Sequence, residues 1–117
     1  MQTMVKMSFE RGVLIGVYPD NAIVDIETAK QNLKDRIAFT KGLDYPALCI
    51  SKNIKMTPEA QNLCASELGC TGVTKLAFLA ENYKCYLLIK LHILWHQPKR
   101  PFDVFTSKEK AMEWLTS

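Results

Sequence analysis

The residues of this chain whose types and spacing could do chemistry gather at one junction and on one helix. Tyr45-Pro46-Ala47-Leu48-Cys49-Ile50-Ser51 reads as a buried strand that delivers the chain to Met56-Thr57-Pro58-Glu59-Ala60. Thr57 can accept from first-turn amides as an N-cap, Pro58 fits the first helical position, and Glu59 suits the positive end of the helix dipole. A capped helix entered from a buried strand is a common place for a site, and Ser51 stands at the strand end beside it. The second candidate is the pair His92 and His96, four residues apart on a helix as metal ligands often are. No acid or thiol lies near them in sequence. Ile93 follows His92 where an H-E-x-x-H motif needs Glu, so a third ligand would have to come from elsewhere, and surface or interface histidines are the competing reading. No metal or other cofactor is expected.

The remaining reactive residues offer less. Cys49, Cys64, Cys70 and Cys85 form no C-x-x-C pair and have no histidine at zinc-finger spacing, so they read as reduced, mostly buried thiols. No G-x-S-x-G elbow is present. Gly69-Cys70-Thr71-Gly72 follows a helix, whereas a phosphate-cradling loop follows a strand and leads into a helix. A non-enzymatic role is the expectation.

With 117 residues, 48% hydrophobic and 23% charged, residues 1–117 fit a single domain with one core. The net charge of +3 is small and scattered. Lys99, Arg100, Lys108 and Lys110 gather near the C-terminus but read as a solvated helix start, so no nucleic-acid partner is expected. The N-terminus alternates Val5, Met7 and Phe9 with Lys6, Ser8 and Glu10 and lacks an apolar signal core, so a cytoplasmic location is expected.

The elements that must position these residues can be read from periodicity. The N-terminal alternation has period two, Arg11-Gly12 offers a turn, and Val13 to Tyr18 is an unbroken apolar run. Ala22-Ile23-Val24 is read as a short extension of the sheet. Asp25 caps a helix carrying Ile26, Ala29, Leu33 and Ile37 on one face, ending near Lys41-Gly42. After the junction, Ala60, Leu63, Cys64 and Leu68 form a helical stripe, and Gly69 is read as its left-handed terminus. Leu76 to Ala80 is a buried strand, Asn82 starts a third helix through about Trp95, Pro98 and Pro101 break it, and Phe102 to Phe105 is the last strand. Thr106-Ser107-Lys108-Glu109 reads as a capping box with Glu109 at the third helical position. Continuous apolar strands alternating with helices predict an α/β domain: an antiparallel entry hairpin followed by β-α repeats, with about five mostly parallel strands and four helices.

This order of elements, with "YPALCISKNIKMTPEAQ" and the ending "FDVFTSKEKAMEWL", resembles the anti-sigma-factor-antagonist-like (STAS-like) superfamily, more narrowly its small stand-alone bacterial members. The resemblance spans nearly the whole chain. It implies a regulatory domain that contacts proteins, and a Ser or Thr at the start of the helix after the third strand that a partner kinase phosphorylates. Thr57 matches that candidate phospho-acceptor position. The regulatory pattern has an Asp-Ser-Ser/Thr-Gly-like run there, whereas this chain has Met56-Thr57-Pro58-Glu59, and Glu59 would repel a phosphate within the same turn.

The third helix is apolar on two faces. Leu87, Leu88, Leu91, Leu94 and Trp95 are read as its core-facing stripe, and Tyr86, Ile89 and Ile93 as an outer stripe that forms an interface. At ~1.5 Å per residue the helix is too short to span a membrane, and Lys90 interrupts it. Two uses of the outer stripe follow: packing against a second copy as a homodimer, or lining a groove beside the helix that carries a small apolar or lipid-like ligand. The second use has support from the resemblance, since the related CRAL-TRIO lipid-transfer domains share this general topology.

Overall fold

Arg11 and Gly12 both take left-handed backbone, with φ of 51° and 77°, as a two-residue hairpin turn requires. The turn folds β1 (Lys6–Glu10) directly onto β2 (Val13–Val17), pairing Glu10 with Val13 and Lys6 with Val17. The computed structural model describes residues 5–96 and 99–117. The remaining elements are β3 (Ile23–Val24), α1 (Ile26–Thr40), β4 (Tyr45–Ile50), β5 (Lys55–Met56), α2 (Pro58–Ala65), β6 (Val73–Leu79), α3 (Tyr83–His96), β7 (Phe102–Phe105) and α4 (Lys108–Thr116). The main sheet has the order β1-β2-β4-β6-β7, with β2, β4, β6 and β7 mutually parallel. The architecture read from the sequence, an entry hairpin followed by β-α repeats, is the one observed.

Each crossover from β2 to β4, β6 and β7 steps in the same direction, so right-handed connections put α1, α2 and α3 on one face of the sheet. The other face belongs to α4. There Val13, Ile15, Leu48 and Ala77 meet Ala111, Met112 and Leu115 in the main core. Ala77 and Ala111 are both fully buried, and their lack of bulk lets the helix approach closely. Lys75 fastens the far end of α4 by donating to the Trp114 carbonyl at 2.6 Å while lying over the Trp114 ring, a cation placed at the negative end of the helix dipole.

On the opposite face Leu14, Ala47 and Val73 form a smaller cluster with Met7, Tyr45 and Leu76. Helices α1 and α2 pack chiefly on each other, around Val24, Ala29 and Ala60. They stand off the sheet and leave space beneath them.

Several local expectations are corrected. Ala22-Ile23-Val24 does not extend the main sheet, because Pro19 has no N–H to continue the ladder after Tyr18 donates to Ile50. Its Ile23 and Val24 pair instead with Lys55 and Met56 in a separate parallel ribbon, tied by the Asn53 amide donating to Asn21 at 2.7 Å. Helix α1 turns Ala29 and Thr40 inward and leaves Ile37 exposed. Helix α2 ends at Ser66, a turn before Gly69, and Gly69 is not left-handed. Glycine is needed there because a Cβ would lie 1.9 Å from the Leu63 carbonyl oxygen. The last helix is capped by Ser107 rather than Thr106, which moves Glu109 to the second helical position. In α3 the two faces are exchanged: Tyr86, Ile89 and Ile93 are half-buried, whereas Leu87, Leu88, Leu91, Leu94 and Trp95 face outward. Lys90 fixes that orientation, pairing with Asp103 on β7 and lying over the Tyr86 ring.

Candidate functional site

Thr57 sits where the junction was expected to place it. Its backbone is extended and its hydroxyl oxygen accepts the Ala60 amide at 3.3 Å, with Pro58 in the first helical turn and Glu59 exposed beside it. Ser51 lies apart from this cap. It lines an open hollow of about 360 Å³ beyond the ends of β4 and β6, with Lys52, Glu81 and Thr106. The junction residues are therefore neighbours in sequence that the fold separates, and Thr57 lines neither that hollow nor the more enclosed concavity described next.

The more enclosed concavity is the space under α1 and α2. It holds about 140 Å³ above a floor of small side chains, Gly16, Ala47 and Cys49, with Leu76, Phe78 and Phe102 closing one side. Its polar groups come from unexpected positions. Asn32 and Arg36 reach it from α1, Tyr18 from the end of β2, Arg100 from the chain leading into β7, and His92 from α3. Arg36 donates to the carbonyls of Gly69 at 2.7 Å and Thr71 at 2.9 Å, tying α1 to the loop between α2 and β6. Arg100 holds the same loop by donating to Val73 and to the Glu67 carboxylate at 2.8 Å.

Burial dominates the electrostatics here. It pushes the Tyr18 hydroxyl and the Cys49 thiol far above their ordinary values, so both stay protonated. The Cys64 thiol is raised by the same cause although the residue keeps accessible surface. Burial lowers the pKa of Arg36. The Asn32 carboxamide lies beside the Tyr18 hydroxyl, yet neither of its polar atoms, nor Nε of Arg36, makes a hydrogen bond of good geometry. Cys49 and Cys64 are thus held as neutral thiols rather than as activated sulfur nucleophiles.

His92 lines the cavity wall, and the side chain of His96 lies outside the described residues. Among the described residues, no three His, Cys, Asp or Glu side chains gather as a metal site. Sequence reasoning missed Tyr18, Asn32 and Arg36. The available signal was the spacing 29, 32, 36, 40, a helical stripe with polar residues on it.

An open sheet entered by a hairpin, with three crossover helices on one face and a terminal helix on the other, is a STAS-like fold. A crystal structure of an uncharacterised protein from the DUF3478 family with a SpoIIAA-like fold, from Shewanella loihica PV-4, matches with a TM-score of 0.64 and 13% identity, covering 95% of this chain and 91% of that one. At that identity the likeness establishes the fold. Residues 7–117 match the family model described as a domain of unknown function, DUF7793, and the chain belongs to that family. No curated protein matches it. Among the described residues, no helix is long and apolar enough to cross a membrane.

Proposed function

We propose that the chain is a non-catalytic, cytoplasmic protein-contact domain that pairs with a second copy through the outer face of α3. One observation carries the reading: Leu87, Leu88, Leu91, Leu94 and Trp95 are 45–85% exposed on a single helix. Together they present on the order of 600 Å² of apolar surface, at the upper end of what a monomer leaves open and near the ~800 Å² per partner of a standard interface. The interface expected at Tyr86, Ile89 and Ile93 thus moves around the helix to the face those residues leave open. Charge favours a second copy in antiparallel register. Lys84 is exposed on the same stripe near the helix start, and antiparallel pairing brings it to the negative end of the partner's helix dipole. A two-fold contact of this kind is closed and self-complementary.

Sedimentation equilibrium tests the reading. Wild-type protein is expected to be dimeric at micromolar concentration, and the double variant Leu91→Glu, Leu94→Glu monomeric with an unchanged far-ultraviolet circular dichroism spectrum. A wild-type monomer at ~100 µM, or a double variant that still dimerises, overturns it.

A further inference from the structure

The geometry points to a second site, independent of the α3 surface: the cavity beneath α1 and α2 binds a small neutral apolar molecule about the size of one hydrocarbon ring. Its size sets the first limit. At about 140 Å³ it is close to the ~150 Å³ apolar cavity that accommodates one benzene ring. The floor of Gly16, Ala47 and Cys49 makes the room, since larger side chains there would fill it. Leu76 supplies a hydrocarbon wall, continued by the tilted rings of Phe78 and Phe102, whose centres lie 5.1 Å apart. Met7 and Met56 add flexible thioethers that adapt to the outline of an occupant.

The polar residues of the lining set the second limit. The polar atoms of Asn32 and Nε of Arg36 have almost no accessible surface, so they present nothing to an occupant. Arg36 Nη2 donates to the Gly69 and Thr71 carbonyls, and Arg100 donates to Glu67 and the Val73 carbonyl. The Gln61 amide donates to the Met56 carbonyl at 3.0 Å, and the Cys70 thiol to the Cys64 carbonyl at 3.7 Å. His92 makes a contact of its own. Cys49 and Cys64 are neutral thiols, and the Tyr18 hydroxyl keeps its proton. Among the described residues, no Asp or Glu lines the space. An ionised occupant would therefore lose its water without gaining a matched partner, which is costly, whereas a neutral apolar one has no such loss. It gains the dispersion contacts that atoms facing a cavity otherwise lack on one side.

Methyl ¹H–¹³C spectra and thermal denaturation of the full chain test this with benzene as the probe and benzoate, the same ring carrying a charge, as the comparison. Benzene titrated to ~10 mM is expected to saturate with a Kd of about 1 mM or less. It should shift the methyl resonances of Met7, Met56 and Leu76 in the cavity and leave those of Leu87, Leu91 and Leu94 on the outer face of α3 unmoved. That contrast separates the cavity from the α3 surface, so the two readings fail independently. At about tenfold excess over Kd the melting temperature is expected to rise by about 5 °C. Benzoate at the same concentration is expected to do neither. Ala47→Leu raises the floor and should weaken benzene binding at least tenfold; if it fails to fold, the wild-type methyl spectra decide. The proposal is overturned if benzene shifts none of the cavity methyls, if the α3 methyls respond in their place, if benzoate binds as tightly as benzene, or if Ala47→Leu binds benzene unchanged.

Discussion

Replacing Thr57 separates a helix cap from a regulatory hydroxyl, and the size of the effect follows from the first turn of α2. Pro58 has no N–H, and the Gln61 amide is taken by the Thr57 carbonyl at 3.0 Å. Among the nearby amides, that of Ala60 depends on the Thr57 hydroxyl oxygen. Ala60 is fully buried, so water cannot easily take over the lost bond. Thr57→Ala therefore leaves a buried donor unmatched, at a cost of about 1–1.5 kcal/mol. For a chain of this length that is roughly a 4–6 °C fall in melting temperature. Thr57→Ser and Thr57→Asp restore an acceptor and should lie within ~0.5 kcal/mol of the wild type at neutral pH. Urea denaturation reads the difference as a shift in midpoint with the slope unchanged. If Thr57→Ala is as stable as Thr57→Ser, or if Thr57→Asp loses as much as Thr57→Ala, the cap account is refuted. A structural cap also predicts that phosphopeptide mapping of the native protein finds Thr57 unmodified across growth conditions, and a modified Thr57 would favour the regulatory role that the STAS resemblance implies.

Three further outcomes follow from single groups. The hydrogen bond and charge of Arg100 hold the Glu67 carboxyl below its ordinary 4.5. A depressed folded value gives stability that is fully present above 4.5 and lost as pH falls through the folded value, so Glu67→Gln should flatten that acid limb in urea melts repeated from about pH 5 downward. Gly69→Ala should be severe, costing more than about 3 kcal/mol, because its Cβ would lie 1.9 Å from the Leu63 carbonyl oxygen. Gly12→Ala, which has open surroundings but a φ of 77°, should cost only about 1–2 kcal/mol in the same urea melts.

Caps were legible in the sequence because a cap acts within its own turn. Asp25 receives the Thr28 amide at 2.8 Å, Thr57 the Ala60 amide, and Asn82 the Cys85 amide at 2.9 Å, at the positions where local signals placed them. The one cap misplaced by a residue lies where two hydroxyl side chains, Thr106 and Ser107, compete. Strands were legible for the same local reason, apart from the two-residue β5, which is too short to carry a period. Helix faces were not. Helix α3 is apolar nearly all round, so periodicity could not choose its buried side, and the choice falls to Lys90 finding Asp103 thirteen residues away. In α1 an inward stripe sought among apolar residues could not include Asn32 and Arg36, which line a cavity rather than a close-packed core.

The cavity exists because the two faces of the sheet are closed by different means. Both floors are small: Ala77 on one side, Gly16 and Ala47 on the other. On the first, α4 answers with Ala111 and closes the gap. On the second, α1 answers with Arg36, whose guanidinium spans to the Gly69 and Thr71 carbonyls and acts as a strut. A void of about 140 Å³ costs on the order of 3 kcal/mol at ~24 cal/mol per Å³, which by itself would draw α1 down onto the sheet. Collapse would break two charge-assisted hydrogen bonds, each worth ~1.5–3 kcal/mol, and drive a guanidinium against apolar side chains. The second cost equals or exceeds the first, so the helix stands off and the space stays open. The residue that holds the cavity open thus commits its Nη2 to loop carbonyls rather than to an occupant, which couples the shape of the site to the chemistry of what can fill it.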